Sequence, residues 1–365
     1  MRSEAPSGAG PSPSSSLDHR QHEQVHKDKA YFHAEQPQEE FEEDTRLETL
    51  SLRQLLTGDA AEAAAFGDRL VRGLSEIGFV YLTDHGIDPT LFDRAHARTA
   101  AFFEDTPEPV KQRFLAQRQG SVNQGYFPFK ASTHIHPDLV QGWVFATRAF
   151  DVPGRPADAP SLAEFWPDLD DERFFRQLYQ ALEPLALPLM RAILSHFGCS
   201  GDLYDERLTD PLCALRLNHY PGLSADDEDL GAARLLGHED VTLFTLLPAS
   251  PVEGLQVFNH NTGRWIRLSP EPGTVILNAG DYLQRITNDT LRSSTHRVSP
   301  PRDAALRRRS RTSCPLFVYL REDDTVEVLP CFDEPSYAPI RAQTFHTNIT
   351  RKFYGDAYPT PGADD

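Results

Sequence analysis

His238, Glu239 and Asp240 stand just before an apolar run, in LLGHEDVTLFTLL (235–247). Polar groups at the mouth of a buried strand are costly unless something pairs with them. Residues two apart on a strand share a face, so His238 and Asp240 would project together and Glu239 away. An imidazole and a carboxylate converging on one point make a nitrogen/oxygen metal site. A third ligand must come from elsewhere, and His296, in RSSTHRVSPP (292–301), is the candidate at another strand start. His-x-Asp also arises by chance, and His238 alone could be a capped strand-end histidine.

Two His and one carboxylate on one face of a metal leave positions open for O2 and a co-substrate, an arrangement suited to Fe(II). Two further pairs add to it. Arg311 and Ser313, in RTSCPLFVYL (311–320), set a guanidinium and a hydroxyl on one strand face, a combination that clamps a carboxylate. Arg308 and Ser310 satisfy the same spacing, but only RTSCPLF runs directly into an apolar strand. Asn218 and Tyr220, in LRLNHYPG (215–222), form a third polar pair on one face. Any one pair could be a solvated strand face; three in order in one region are hard to obtain by chance.

These residues need a rigid frame. From residue 47 to about 118 the pattern is mostly helical with one strand, FVYLTDHGI (79–87). DAAEAAAFGDRLVRGLSEIG (59–78) aligns Ala63, Phe66, Leu70 and Leu74 on one helix face and stops at Gly78. DPTLFDRAHARTAAFFED (88–105) repeats the pattern, and 171–198 predicts a long helix broken around Pro184 and Pro188. After Cys199, seven or eight short strands alternate with turn signals within roughly 110 residues, which predicts a sandwich or jelly roll. The fold class expected is mainly β with supporting helices.

The net charge of -18 disfavours a nucleic-acid partner, and the knot RRRSR (307–311) reads as a solvated surface. No apolar run is long enough to span a membrane. The four cysteines, Cys199, Cys213, Cys314 and Cys331, form no Cys-x-x-Cys and read as free thiols in a reducing cytoplasm. Residues 1–45, rich in Ser, Pro and charge, predict a disordered tail and lack the apolar stretch of a secretory signal. The division expected is the tail, an N-terminal helical region over 46–198 that packs on the core, and a β core with a C-terminal helix over 199–365.

The chain resembles the isopenicillin N synthase-like branch of the Fe(II)/2-oxoglutarate-dependent oxygenases. The resemblance rests on GFVYLTDHGI, LRLNHYPG, GHEDVTLFTLL, STHRV and RTSCPLF, in the family's order, across about residues 47–320. It implies a double-stranded β-helix, cupin-like, with His238, Asp240 and His296 as iron ligands. Arg311 and Ser313 would hold the distal carboxylate of 2-oxoglutarate, with Asn218 and Tyr220 assisting. The cofactors implied are Fe(II), 2-oxoglutarate as co-substrate, and O2. The reaction implied is hydroxylation, desaturation or cyclisation of a small molecule, in natural-product metabolism for example. The alternative is an Fe(II)/O2 oxidase of isopenicillin N synthase type, in which the Arg/Ser pair grips the substrate's own carboxylate. Two departures stand out: an insertion in PRDAALRRRS (301–310), and Gly222 where a second proline is common. Gln284 and Asn288, in GDYLQRITND, are candidates to support the metal. The aromatic stretch 123–150 either faces the substrate, through Tyr126, Phe127, Phe129, Lys130 and Trp143, or is a packed strand and loop. His134-x-His136 in that stretch reads as an exposed loop.

Overall fold

The computed structural model describes residue 35 and residues 39–119, 122–129, 139–146, 149–150, 161–209, 211–224 and 234–354. In chain order its main strands are β1 (Thr49–Ser51), β2 (Phe79–Thr83), β3 (Gln117–Gln119), β4 (Val122–Phe127), β5 (Gln141–Ala146), β6 (Leu212–Tyr220), β7 (Leu235–His238), β8 (Phe244–Pro248), β9 (Leu255–Asn259), β10 (Arg264–Arg267), β11 (Val275–Ala279), β12 (His296–Val298), β13 (Arg311–Ser313) and β14 (Leu316–Tyr319). Among the described residues the larger sheet has the order β1-β2-β11-β8-β14-β6-β5-β4-β3, with β13 also on β6. The smaller sheet has the order β10-β9-β12-β7. The N-terminal part therefore does more than pack helices on a β core: it supplies β1 to β5 to the larger sheet.

The pleat of the larger sheet sorts its residues into two layers. Val80, Leu82, Leu246, Val275 and Leu277 join a core with helix residues Phe66, Leu70, Leu74, Phe102 and Ile193. Their alternates, Phe79 and Ile276, join Tyr220 and the smaller-sheet residues Leu255, Val257, Ile266 and Val298 in a second core. One face is thus covered by helices and the other by the smaller sheet, the double-stranded β-helix arrangement.

The helices form where the sequence predicts. Ala60–Glu76 opens on a capping box between Asp59 and Glu62 and ends before Gly78, whose φ is +81°. Pro89–Asp105 is capped by Asp88. Leu169–Leu182 and Ala186–His196 are separated by a tight turn at Glu183–Leu185 that contains Pro184.

Two expectations are corrected. Cys199 and Cys331 form a disulfide across 132 positions, and Cys213 and Cys314 remain as buried thiols. Sequence spacing could not show this, because the fold brings the end of one helix against a distant turn. The disordered tail expected over 1–45 is the second. Residues 1–34 and 36–38 lie outside the described residues, but Glu35 and 39–45 lie on the smaller sheet. Phe41 bridges Trp265, Glu40 pairs with Arg264, and Glu39 pairs with Arg297. Acidic side chains there meet arginines that would otherwise crowd one another. No helix among the described residues is long and apolar enough to cross a membrane.

Candidate metal centre

His238 ends β7 and His296 begins β12, and the two stand opposite each other in register. Each ring is oriented from behind. His238 donates Nδ1–H to the Leu236 carbonyl at 2.9 Å, and His296 donates Nδ1–H to the Ser294 carbonyl at 3.1 Å. Because a carbonyl can only accept, each ring carries a hydrogen on Nδ1, and in the neutral ring the Nε2 lone pair is left over. Those Nε2 atoms lie 3.9 and 3.8 Å from Asp240 Oδ1.

Asp240 does not share a strand with His238 as the sequence suggests. The strand stops at His238, and Asp240 lies in the connection to β8. Its position is set by other contacts. Oδ2 accepts from Thr245 Oγ1 at 2.7 Å and from Asn278 Nδ2 at 2.8 Å. Thr245 and Asn278 are direct partners across β8 and β11, so one register pair holds one oxygen. Oδ1 is left facing the two imidazoles, and the three ligand atoms lie within 4.8 Å of one another. The Asp240 backbone carbonyl accepts from Asp281 N at 2.8 Å. A Cβ at Gly280 would come within 2.3 Å of the Thr242 carbonyl, so only glycine permits this approach.

The charges match the geometry. Burial, reinforced by the nearby His296 ring, holds the His238 imidazole below its ordinary value against the pull of Asp240. Burial would raise the Asp240 carboxyl, but the His296 and His238 rings and the bonds from Asn278 and Thr245 outweigh it, and its pKa falls. Neutral nitrogens and an ionised carboxylate are the forms that bind a metal.

Thr245 and Asn278 were missed from sequence. Their signal was a polar residue in the apolar strands FTLLP and VILNA. Gln284 and Asn288 do a different job. Gln284 accepts from Ser293 N at 2.9 Å and donates to Asp289 at 2.9 Å, which braces the approach to β12. Asn288 bonds the backbone of Glu334 and Ser336.

Asn218, Tyr220, Arg311 and Ser313 come together. β13 lies antiparallel on β6 with Arg311 opposite Tyr220 and Ser313 opposite Asn218. Arg311 is buried, with Nε on the Val252 carbonyl at 3.1 Å, its guanidinium 5.1 Å from the centre of the Tyr220 ring, and Nη1 without a partner. Asn218 donates to Ser313 Oγ at 3.2 Å and accepts from Arg216 Nε at 2.7 Å. Both ends of its amide are used to align Ser313. In the competing register, Arg308 is exposed and Ser310 donates to Glu104. Gly222 and the 301–310 insertion fit each other: a Cβ at Gly222 would fall 2.1 Å from the Arg308 carbonyl.

The aromatic candidates divide by strand parity. Trp143 pairs with Leu217, and Gly142 with Asn218, so Trp143 points to the helix side. Tyr126 and Trp143 both lie in the helix-covered core, a correction to their placement at the substrate. Tyr126 reaches Gln141 and Glu108 there. Phe127 takes the other face, under the Arg216 guanidinium at 5.4 Å. Phe129 is exposed. Lys130, His134 and His136 lie outside the described residues.

Comparison with known proteins follows the same lines. Residues 211–319 match the model of the 2OG-Fe(II) oxygenase superfamily. Residues 47–169 match that of the N-terminal part of non-haem dioxygenases in morphine synthesis. A 2-oxoglutarate-Fe(II) type oxidoreductase, ppzD, of Metarhizium rileyi is 28% identical over 325 residues, which cover 85% of this chain and 92% of that protein. The proline hydroxylase buaE of Petromyces alliaceus is 31% identical over 266 residues, covering 70% of this chain and 81% of its own length. A full-length Neurospora crassa protein, crystallised in complex with alpha-KG and thymine, shares the fold, with a TM-score of 0.72, 24% identity, and coverage of 84% of this chain and 96% of that one.

Proposed function

We propose, for a chain that belongs to the 2OG-Fe(II) oxygenase superfamily, that His238, Asp240 and His296 hold its Fe(II), that Arg311 and Ser313 hold the distal carboxylate of its 2-oxoglutarate, and that it hydroxylates a small molecule. The observation that carries this reading is the set of leftover atoms. Two Nε2 and one Oδ1 face one point while every other polar atom of those side chains already has a partner. That donor set fits Fe(II) with open positions. The buried, unpartnered Nη1 of Arg311 fits a carboxylate.

The chemistry supplied by bound Fe(II) is the coupling of 2-oxoglutarate decarboxylation, to succinate and CO2, with oxidation of a substrate C–H bond by O2. The chain's own residues bind, orient and enclose. Leu236 and Ser294 fix the two rings through their carbonyls. Thr245 and Asn278 fix which carboxylate oxygen faces inward. Phe79 packs its edge on the His296 ring, with centroids 5.3 Å apart, and keeps water from that side. Tyr220 supports Arg311, and Asn218 turns Ser313. Hydroxylation is the outcome favoured, because a relative 31% identical over 70% of this chain is a proline hydroxylase.

The test is an anaerobic titration of metal-free protein with Fe(II) and then 2-oxoglutarate, watched by visible absorption. A charge-transfer band should appear on the second addition and be absent in His296→Ala and Arg311→Ala. A band that survives in Arg311→Ala would move the carboxylate elsewhere. Failure of the wild type to bind Fe(II) would end the reading.

A further inference from the structure

One buried cation lies outside every role assigned so far. Arg234 immediately precedes β7, and its side chain runs to the turn before β13, near enough to Arg311 and Tyr220 for both to act on its charge. It is fully buried. Its Nη2 donates to the Arg309 carbonyl at 2.8 Å and the Arg307 carbonyl at 3.3 Å. Nε and Nη1 have no partner. Among the described residues no carboxylate pairs with Arg234 or Arg311. Burial, reinforced by the Arg311 guanidinium and against the pull of Tyr220, brings the Arg234 pKa down to about 10.

Two buried guanidinium groups, neither paired with a carboxylate among the described residues, are unfavourable without a ligand. Three of their nitrogens, Arg311 Nη1 and Arg234 Nε and Nη1, are buried and unbonded. A group of opposite charge settles both problems at once. We propose that Arg234 is a second cation of the co-substrate pocket, sharing the distal carboxylate of 2-oxoglutarate with Arg311. The inference rests on the assignment of Arg311 above.

Position favours the co-substrate over a charged primary substrate. Arg234 stands before the start of β7 and His238 at its end, so Arg234 lies at the end of the strand away from the metal ligands. The distal carboxylate is the part of a five-carbon diacid that reaches away from the metal. Arg234 is tied to the carbonyls two and four residues before Arg311, so the base of β13 places both guanidiniums together. The 301–310 insertion supplies those carbonyls, and Gly222 makes room for the insertion's backbone. The chain's two departures from its family's pattern thus build the seat of Arg234.

The test is calorimetric titration of the anaerobic Fe(II)-loaded protein with 2-oxoglutarate and with 2-oxobutanoate, which keeps the keto acid but lacks the distal carboxylate. Arg234→Gln should weaken 2-oxoglutarate by about tenfold or more and leave 2-oxobutanoate unchanged. Arg234→Lys, which keeps the charge, should lose less, and it carries the comparison if the glutamine variant does not fold. Equal weakening of both ligands would mean a general loss of packing and would overturn the proposal. Unchanged 2-oxoglutarate affinity would also overturn it and leave Arg234 to an acidic group of the primary substrate. Arg311→Gln runs in parallel. If it too leaves 2-oxoglutarate untouched, the Arg311 assignment falls; if it alone weakens binding, only the Arg234 inference falls.

Discussion

His96, on the helix side of the larger sheet, accepts from Thr312 Oγ1 at Nδ1 and donates to the Ala249 carbonyl from Nε2, each at 3.0 Å. Thr312 sits between Arg311 and Ser313, which face the other way. On that other side His238 and His296 each use one ring nitrogen and spare the other, Asp240 spares one oxygen, and Arg311 spares Nη1. Both faces bury polar side chains. On the helix face Lys111 likewise spends its ammonium on the Phe103 carbonyl and Gln141, both at 3.2 Å. The difference between these groups lies in what is left over. His96 and Lys111 are bonded through the atoms that matter and stabilise the fold, whereas the metal ligands and Arg311 each keep an atom for a ligand.

The sharpest way to break this contrast is to change a leftover atom without changing its support. In Asp240→Asn, Thr245 and Asn278 both donate and will claim the amide oxygen. The amide nitrogen must then face the two Nε2 lone-pair positions. Fe(II) affinity should fall by more than about 100-fold, with an unchanged circular dichroism spectrum; Fe(II) binding within tenfold of wild type would show that Oδ1 is not a ligand atom.

The other face should respond to pH rather than to metal. Burial, with a further push from Arg311, depresses the His96 pKa to about 4 from 6.5. Between those values the unfolded chain binds the extra proton, so stability rises with pH across the interval. The contribution is complete above about 6.5, declines as the pH drops and is gone near 4, on the order of 3 kcal/mol in all. Urea midpoints at pH 7 and pH 4.5 would report it, and His96→Gln should flatten the difference. An equal pH slope in that variant would assign the effect to other groups.

Much of this was legible in the sequence because strand parity is strict. Arg311 with Ser313 and Asn218 with Tyr220 were read as pairs, and the fold sets the pairs side by side. What parity could not give was pairing across strands. Thr245 and Asn278 meet only because β8 lies beside β11 in one register, and Cys199 meets Cys331 only through tertiary packing. Nor does parity show that the strand stops at His238, so that Asp240 reaches the site from the connection to β8. Parity also argues against the full aromatic set, since Tyr126 and Phe127 are adjacent on one strand and cannot face one site together.

Asn278→Ala sharpens the contrast from the support side. It leaves all three leftover atoms in place and removes one of the two donors that hold Asp240. Fe(II) affinity should fall by about 10-fold to 100-fold, less than in Asp240→Asn, and added metal should restore turnover. A loss that excess Fe(II) cannot repair would mean that Asn278 touches the reaction itself.

The smallest effect is expected on the outer surface of the smaller sheet. Arg297 follows His296 and points away from the metal ligands, packed on Trp265 at 3.8 Å and bonded to Gln256 at 2.8 Å and to Glu39 at 3.1 Å. Each of these contacts is satisfied, so by the leftover-atom criterion the strand face is structural although it adjoins a metal ligand. Glu39→Gln keeps an acceptor and removes the charge, and it should cost about 1 kcal/mol, or about 2 °C in Tm. Fe(II) affinity should fall by far less than the tenfold or more expected of a residue that bonds a ligand directly, because Glu39 bonds no metal ligand. A tenfold loss of Fe(II) affinity would show that the acidic segment at 39–45 sets the position of His296, and that the two sides of the smaller sheet act as one.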